Sequence, residues 1–222
     1  MSISDKLVTI AENEQKVFDA GKKAEYDAFW DVYQTNGTST YYAYKFAGLG
    51  WTDKTFKPKY DFGDMDTASY MFAGSGIADL SNLPRMNILW TAQYMFFGNT
   101  RISHIGEIEI KEATCDLMGM FQNASKLITI DLLKVLPDNA YSNTFTGCSA
   151  LENITFDGDI GNSISFSACT KLNHDSLMSI INHLKDFSGT STTKTCTLGS
   201  SNLAKLTDAE KKVATDKGWT LA

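Results

Sequence analysis

One spacing of apolar and polar positions organises the middle of the chain. A phenylalanine recurs at Phe46, Phe72, Phe96, Phe121, Phe145 and Phe166, at intervals of 26, 24, 25, 24 and 21 residues. Four segments carry the same sequel: a small or polar residue at +3, an aliphatic one at +6 and, in three of them, another at +9. They read Phe96-Asn99-Ile102-Ile105, Phe121-Ala124-Leu127-Ile130, Phe145-Cys148-Leu151-Ile154 and Phe166-Cys169-Leu172. The segment at Phe72 fits with one deletion (Ser75, Ile77, Leu80), and Phe46 opens a similar Phe-Ala-Gly start. A unit of this length cannot enclose its own apolar side chains, so the pattern requires successive units to stack.

Around the +9 aliphatic the residues alternate as a strand does: Asn153 out, Ile154 in, Thr155 out, Phe156 in, Asp157 out. The same phase in the other units gives two outward ladders. One holds Asp79, His104, Thr129 and Asn153, and the next holds Ser81, Gly106, Asp131 and Thr155. A fixed period of 20 to 29 residues with this pattern is the signature of a leucine-rich-repeat solenoid. The expectation is therefore an α/β repeat: a short, right-handed solenoid of about five to six coils, with a long N-terminal helix and a helical C-terminal cap.

The flanks depart from the period. Residues 4–34 lack proline and read as one helix, with Ser4 as N-cap and Asn36-Gly37 as its stop. That helix either packs on the first coil or self-associates as a short coiled coil, giving a homo-oligomer through residues 1–35. Residues 41–66 are rich in aromatics and read as an N-terminal cap; the alternative is an aromatic platform for sugar or peptide around Trp51. Near the other end, a helix from Asn173 or Asp175 through Lys185, a strand at Lys194–Leu198, a helix opened by the capping box Thr207/Glu210, and a strand at Trp219–Leu221 are expected. The organisation is thus 1–40 N-terminal helix, 41–175 repeats and 176–222 C-terminal cap.

Composition narrows the function. At 222 residues and 43% hydrophobic the chain can bury a sizeable core. Its net charge of -6 and the absence of a basic run argue against nucleic acid as a partner. The opening Met-Ser-Ile-Ser-Asp-Lys-Leu is expected not to be a secretory signal, and no apolar run reaches the roughly 18 residues of a membrane span. Four cysteines without a CxxC pair read as reduced thiols, with Cys148 and Cys169 in the small +3 position. The sequons at Asn36, Asn123 and Asn153 are idle without export.

Catalytic signatures are not evident: GxGxxG, GxxxxGK, HExxH and GxSxG are missing, and neither a cofactor nor a metal site is expected. His174 and His183 do not share a helix face, and Asp157-Gly158-Asp159 lacks the glutamate of a calcium loop. His104 beside Asp79 or Asp131 reads equally as an acid–base pair or as part of a solvated ladder. Candidate binding residues are therefore Asp79, Ser81, His104, Thr129, Asp131, Asn153, Thr155 and Asp157, with Trp51 in the aromatic segment.

The run Phe145-x-x-Cys148-x-x-Leu151-x-x-Ile154, with Tyr70-Met71-Phe72 and Tyr94-Met95-Phe96 upstream, resembles the BspA-like class of bacterial leucine-rich repeats over residues 67–175. The departures are the deletion after Phe72, Asn or Ala in place of Cys, and the short final period. The flanks, with Phe-Ala-Gly-x-Gly-Trp at Phe46–Trp51 and Lys217-Gly218-Trp219-Thr220, are similar to those of small repeat proteins of gut Firmicutes and their prophages. That resemblance implies a phage tail- or virion-associated module that binds a protein or surface glycan without catalysis. The alternatives are a bacterial interaction scaffold, cytoplasmic or at the cell surface, and, more remotely, a glycan hydrolase.

Overall fold

The computed structural model describes residues 46–48, 62–81, 83 and 85–222. Six strands form one parallel sheet: β1 (Asp64–Thr67), β2 (Asp79–Leu80), β3 (Met86–Thr91), β4 (His104–Ile110), β5 (Thr129–Lys134) and β6 (Asn153–Asp157). Their order is β1-β3-β4-β5-β6, with β2 also beside β4. The pairs Asp79↔His104 and Leu80↔Ile105 occupy the start of β4, and Met86↔Ile108 through Ile88↔Ile110 occupy its end. Strands β2 and β3 together therefore do what β4 does alone, and the deletion after Phe72 belongs to this split unit.

The phenylalanines explain the period. Neighbouring rings stack at centroid distances of 5.2, 5.4, 5.4, 5.4 and 4.7 Å from Phe46 to Phe166, and all six are buried. The five from Phe72 to Phe166 sit in tight turns closed by the +3 amide, which donates to the Phe carbonyl, as in Asn99 N to Phe96 O at 3.2 Å. The +3 side chain then reaches the preceding unit: Asn99 Nδ2 donates to Phe72 O, Cys148 Sγ to Phe121 O and Cys169 Sγ to Phe145 O. The turns are also laddered to one another, since Phe72 N donates to Met95 O, Phe96 N to Met120 O and Phe121 N to Thr144 O.

The α/β-repeat expectation is corrected by this arrangement. Among the described residues there are three short helices, all beyond residue 173, and the strands of the large sheet are joined by turns. The reason is local. Left-handed backbone flanks each phenylalanine from Phe72 to Phe145, at -2 (Tyr70, Tyr94, Gly119, Asn143) and at +2 (Gly74, Gly98, Asn123, Gly147), and no α-helix runs through such positions. A leucine-rich-repeat solenoid is accordingly not the description of this chain; it is mostly parallel sheet. The expected helix over 4–34, the domain at 1–40, the oligomerisation segment 1–35 and Trp51 lie outside the described residues.

The helical C-terminal cap is corrected as well. Beyond the large sheet, β7 (Ile164–Ser165), β8 (Lys194–Thr197) and β9 (Trp219–Leu221) form a second parallel sheet in that order, accompanied by α1 (His174–Asn182), α2 (Ser200–Leu203) and α3 (Asp208–Asp216). Asn173 caps α1 by accepting from Ser176 N, and Thr207 and Glu210 form the capping box of α3. Helix α1 closes the edge of the large sheet. Ser176 Oγ accepts from Ile154 N and Ser179 Oγ from Phe156 N, both at 2.9 Å, while Ser176 Oγ donates to Glu152 O. Two hydroxyls three residues apart thus satisfy amides of β6 that a further strand would otherwise take. One hydrophobic core runs unbroken from Phe46 to Trp219.

Candidate functional site

Strand pairing brings Asp79, His104, Thr129 and Asn153 into one register row. Each is partly exposed, and the residue after each (Leu80, Ile105, Ile130, Ile154) is buried, so the row faces outward. Its polar groups bond along the row: Asn173 Nδ2 donates to Asn153 Oδ1, and Asn153 Nδ2 donates to Thr129 Oγ1 at 3.2 Å. His104 Nε2 lies 2.7 Å from Asp131 Oδ1, with side chains 35% and 45% exposed. Of the two partners left open by the sequence, His104 therefore bonds Asp131. Asp79 accepts instead from Ser81 N at 2.8 Å. Burial pushes the Asp79 carboxyl up, but the Ser81 hydrogen bonds and the neighbouring His104 outweigh it and hold the group below its usual range.

The second expected ladder is only partly assembled. Gly106 falls opposite Asp131, between the pairs Ile105↔Ile130 and Glu107↔Leu132. Ser81 lies just past the end of β2, and its carbonyl oxygen would be 3.2 Å from a Cβ at Gly106, so the backbone closes over this strand. Thr155 is exposed where the register between β5 and β6 slips. Asp157 belongs elsewhere, paired with Lys134, and its Oδ1 accepts from Gly158 N.

Sequence reasoning missed the row to which Asp157 belongs: Asp64, Asn87, Glu109, Lys134 and Asp157 stand side by side on five strands. Glu109 is its centre. Lys134 contacts Glu109 Oε1 at 3.0 Å, and Arg85 and Lys111 contact Oε2 at 3.1 and 3.3 Å; Arg85 also contacts Glu107 at 2.8 Å. The Lys134 hydrogen bond, aided by Arg85 and Lys111 and opposed by burial, lowers the Glu109 carboxyl to about 2. The signal was present in the sequence, since Glu109 and Lys134 each follow a first-row residue by five positions.

The turns carry a second exposed surface. Tyr70 and Tyr94 stack at 5.0 Å, and Phe97 meets Tyr94 edge-on at 5.6 Å. Both tyrosines have left-handed backbone, φ 56° and 55°, where the next two units place Gly119 and Asn143. A Cβ at Gly119 would lie 2.4 Å from the Tyr94 ring, so that glycine is required by the close approach as well as by its φ. A side chain other than Gly or Asn costs about 1–2 kcal/mol in this region, which the stacked pair offsets with about 0.5–1.5 kcal/mol beyond the apolar area that the rings bury.

No thiol is poised for nucleophilic work. All four cysteines are buried and unpaired, and burial pushes Cys115, Cys148 and Cys196 up to about 12 and Cys169 higher still. Among the described residues no helix is long and apolar enough to cross a membrane. No known family, curated protein or solved structure matches the chain.

Proposed function

We propose that this protein is a non-enzymatic recognition module that binds a protein or surface glycan through the outward face of its parallel sheet. The observation carrying the reading is the register row Asp79, His104, Thr129 and Asn153 with Asp131 bonded to His104, an accessible array of donors and acceptors on a rigid scaffold. Recognition is favoured over catalysis because the three carboxylates among the candidate residues are separately engaged: Asp79 by Ser81, Asp131 by His104, Asp157 by Gly158. A glycan hydrolase would need two carboxyls facing one scissile bond.

The resemblance of the flanks, Phe46–Trp51 and Lys217-Gly218-Trp219-Thr220, to those of small prophage repeat proteins supports a place in a phage virion, with the cytoplasm or surface of a bacterium as the other location. Probing a mixed array of surface glycans and surface proteins with the full chain tests the function, and tail and lysis genes beside its own would favour the virion. Thr129→Ala/Asp131→Asn is expected to weaken a hit about tenfold or more while leaving the fold intact. A hit indifferent to this pair excludes the strand face, and turnover of an arrayed glycan excludes the non-enzymatic reading.

A further inference from the structure

The outward row of the strand face has a direction. At one end Asn173 caps α1, so its Oδ1 accepts from Ser176 N and its Nδ2 is left to donate to Asn153 Oδ1. That fixes the Asn153 amide, whose Nδ2 donates to Thr129 Oγ1. Thr129 thus accepts from its neighbour, and its own O–H donates to no group among the described residues. At the other end the order reverses. A carboxylate only accepts, so Asp131 requires the proton of a neutral His104 on Nε2, and Nδ1 is left as a bare acceptor. Asp79 and Asp131 also have acceptor sites left over, because a carboxylate has about four and the bonds to Ser81 N and His104 do not fill them. Free acceptors therefore gather about His104, and free donors run from Thr129 to Asn173, where each Asn keeps a second amide hydrogen.

A ligand that fits both ends has to donate at one and accept at the other. Neighbouring hydroxyls do both, because each carries one proton and two lone pairs. From β2 to β6 the row spans about 14 Å at the roughly 4.8 Å that separates neighbouring strands, a length that a short oligosaccharide covers. Charge then narrows the class. Arg85, Lys111 and Lys134 are all engaged with Glu109, whereas Asp79 and Asp131 meet no lysine or arginine among the described residues, so the row repels carboxylate, sulfate and phosphate groups. A protein partner is usually anchored by aromatic or apolar side chains that become desolvated. The row offers them no apolar surface, since its members are polar and the apolar side chain after each is packed in the core. Resting on the strand face as the recognition surface, we propose that its ligand is a neutral glycan, whose hydroxyls donate to the acceptors around His104 and accept from Thr129, Asn153 and Asn173.

The test is an array of neutral hexose and N-acetylhexosamine oligosaccharides, sialylated and sulfated glycans, and surface proteins, probed with the full chain and with Thr129→Val, Thr129→Ser and Asn153→Asp, with the melting temperature of each recorded. Neutral glycans are expected to bind. Thr129→Val keeps the β-branched shape and removes the O–H, so it should lose about three- to tenfold in affinity, while Thr129→Ser should bind as the parent does. Asn153→Asp replaces the donating amide with an accepting carboxylate and should lose about tenfold or more. Binding restricted to anionic glycans, no glycan bound, or Thr129→Val and Asn153→Asp both equal to the parent per folded molecule overturns the inference. A surface protein as the sole hit, weakened in Thr129→Ala/Asp131→Asn, overturns it while leaving strand-face recognition standing. A neutral glycan indifferent to that pair removes both.

Discussion

Single side chains in this protein divide by whether their polar atoms find partners. Glu109 is buried yet ionised because three cations converge on it, and its carboxyl is lowered from 4.5 to about 2. The folded state therefore binds fewer protons than the unfolded one between those values. Its contribution is fully present above about pH 4.5 and is lost as the pH falls toward 2. Because the three cations are solvent-exposed, screening holds that contribution to about 1 kcal/mol. Glu109→Gln is expected to lower stability by that amount at pH 7 and by clearly less at pH 2, read from denaturant melts at both. Equal losses at the two values would show that the carboxylate's charge is irrelevant. Tyr141 is the opposite case: it is buried with no hydrogen-bond partner for its hydroxyl, and burial pushes the phenol up. Tyr141→Phe should leave stability unchanged or raise it by about 1 kcal/mol; a clear loss on thermal melting would mean that the hydroxyl has a partner.

At the level of elements, α1 matters as the terminator of the large sheet. Ser176 and Ser179 have the 3-residue spacing that puts both on one helix face, and each takes an amide of β6. Removing either hydroxyl strands a backbone N–H, so Ser176→Ala and Ser179→Ala should each cost about 1–3 kcal/mol. Amide exchange at Ile154 and Phe156 should speed up in the matching variant, and exchange unchanged at both would contradict the edge-closing role. These serines were not legible beforehand, because in an amphipathic pattern they look like ordinary solvent-facing positions. The strand at Asn153–Asp157 was legible, since its period-two alternation is unbroken and its burial follows it residue by residue. The starts of α1 and α3 were legible from their caps, although α1 stops at Asn182 and not Lys185. Strand β7 and helix α2 are too short for any period to register. The α/β-repeat expectation fails because left-handed positions on both sides of the phenylalanines leave no room for a helical leg. The glycines at +2 already signalled left-handed turns, while the tyrosines at -2 concealed the second such position.

Across the whole molecule, the positions that hold the units together differ from those proposed for recognition. The phenylalanine stack joins unit to unit, so one truncation opens a gap between two neighbours. Phe121→Ala should cost about 3–5 kcal/mol, visible as an early melt of the entire chain, and a loss below 1 kcal/mol would mean that the stack does not hold the units together. Apart from the Glu109 network, the outward rows bear little of that load. Half of the candidate site could be read from phase alone: Asp79, His104, Thr129 and Asn153 align as their spacing requires. The remainder depended on a split strand, a register slip and a backbone crossing over Gly106, and no repeat alignment encodes those.

The central claim, that the strand face is where a partner is recognised, is tested most directly by a chemical-shift map of the full chain titrated with the strongest hit from the mixed glycan and protein array. Saturable shifts are expected at His104, Thr129, Asp131 and Asn153. Saturable shifts that leave these four untouched and map instead to α3 and β9 would contradict it.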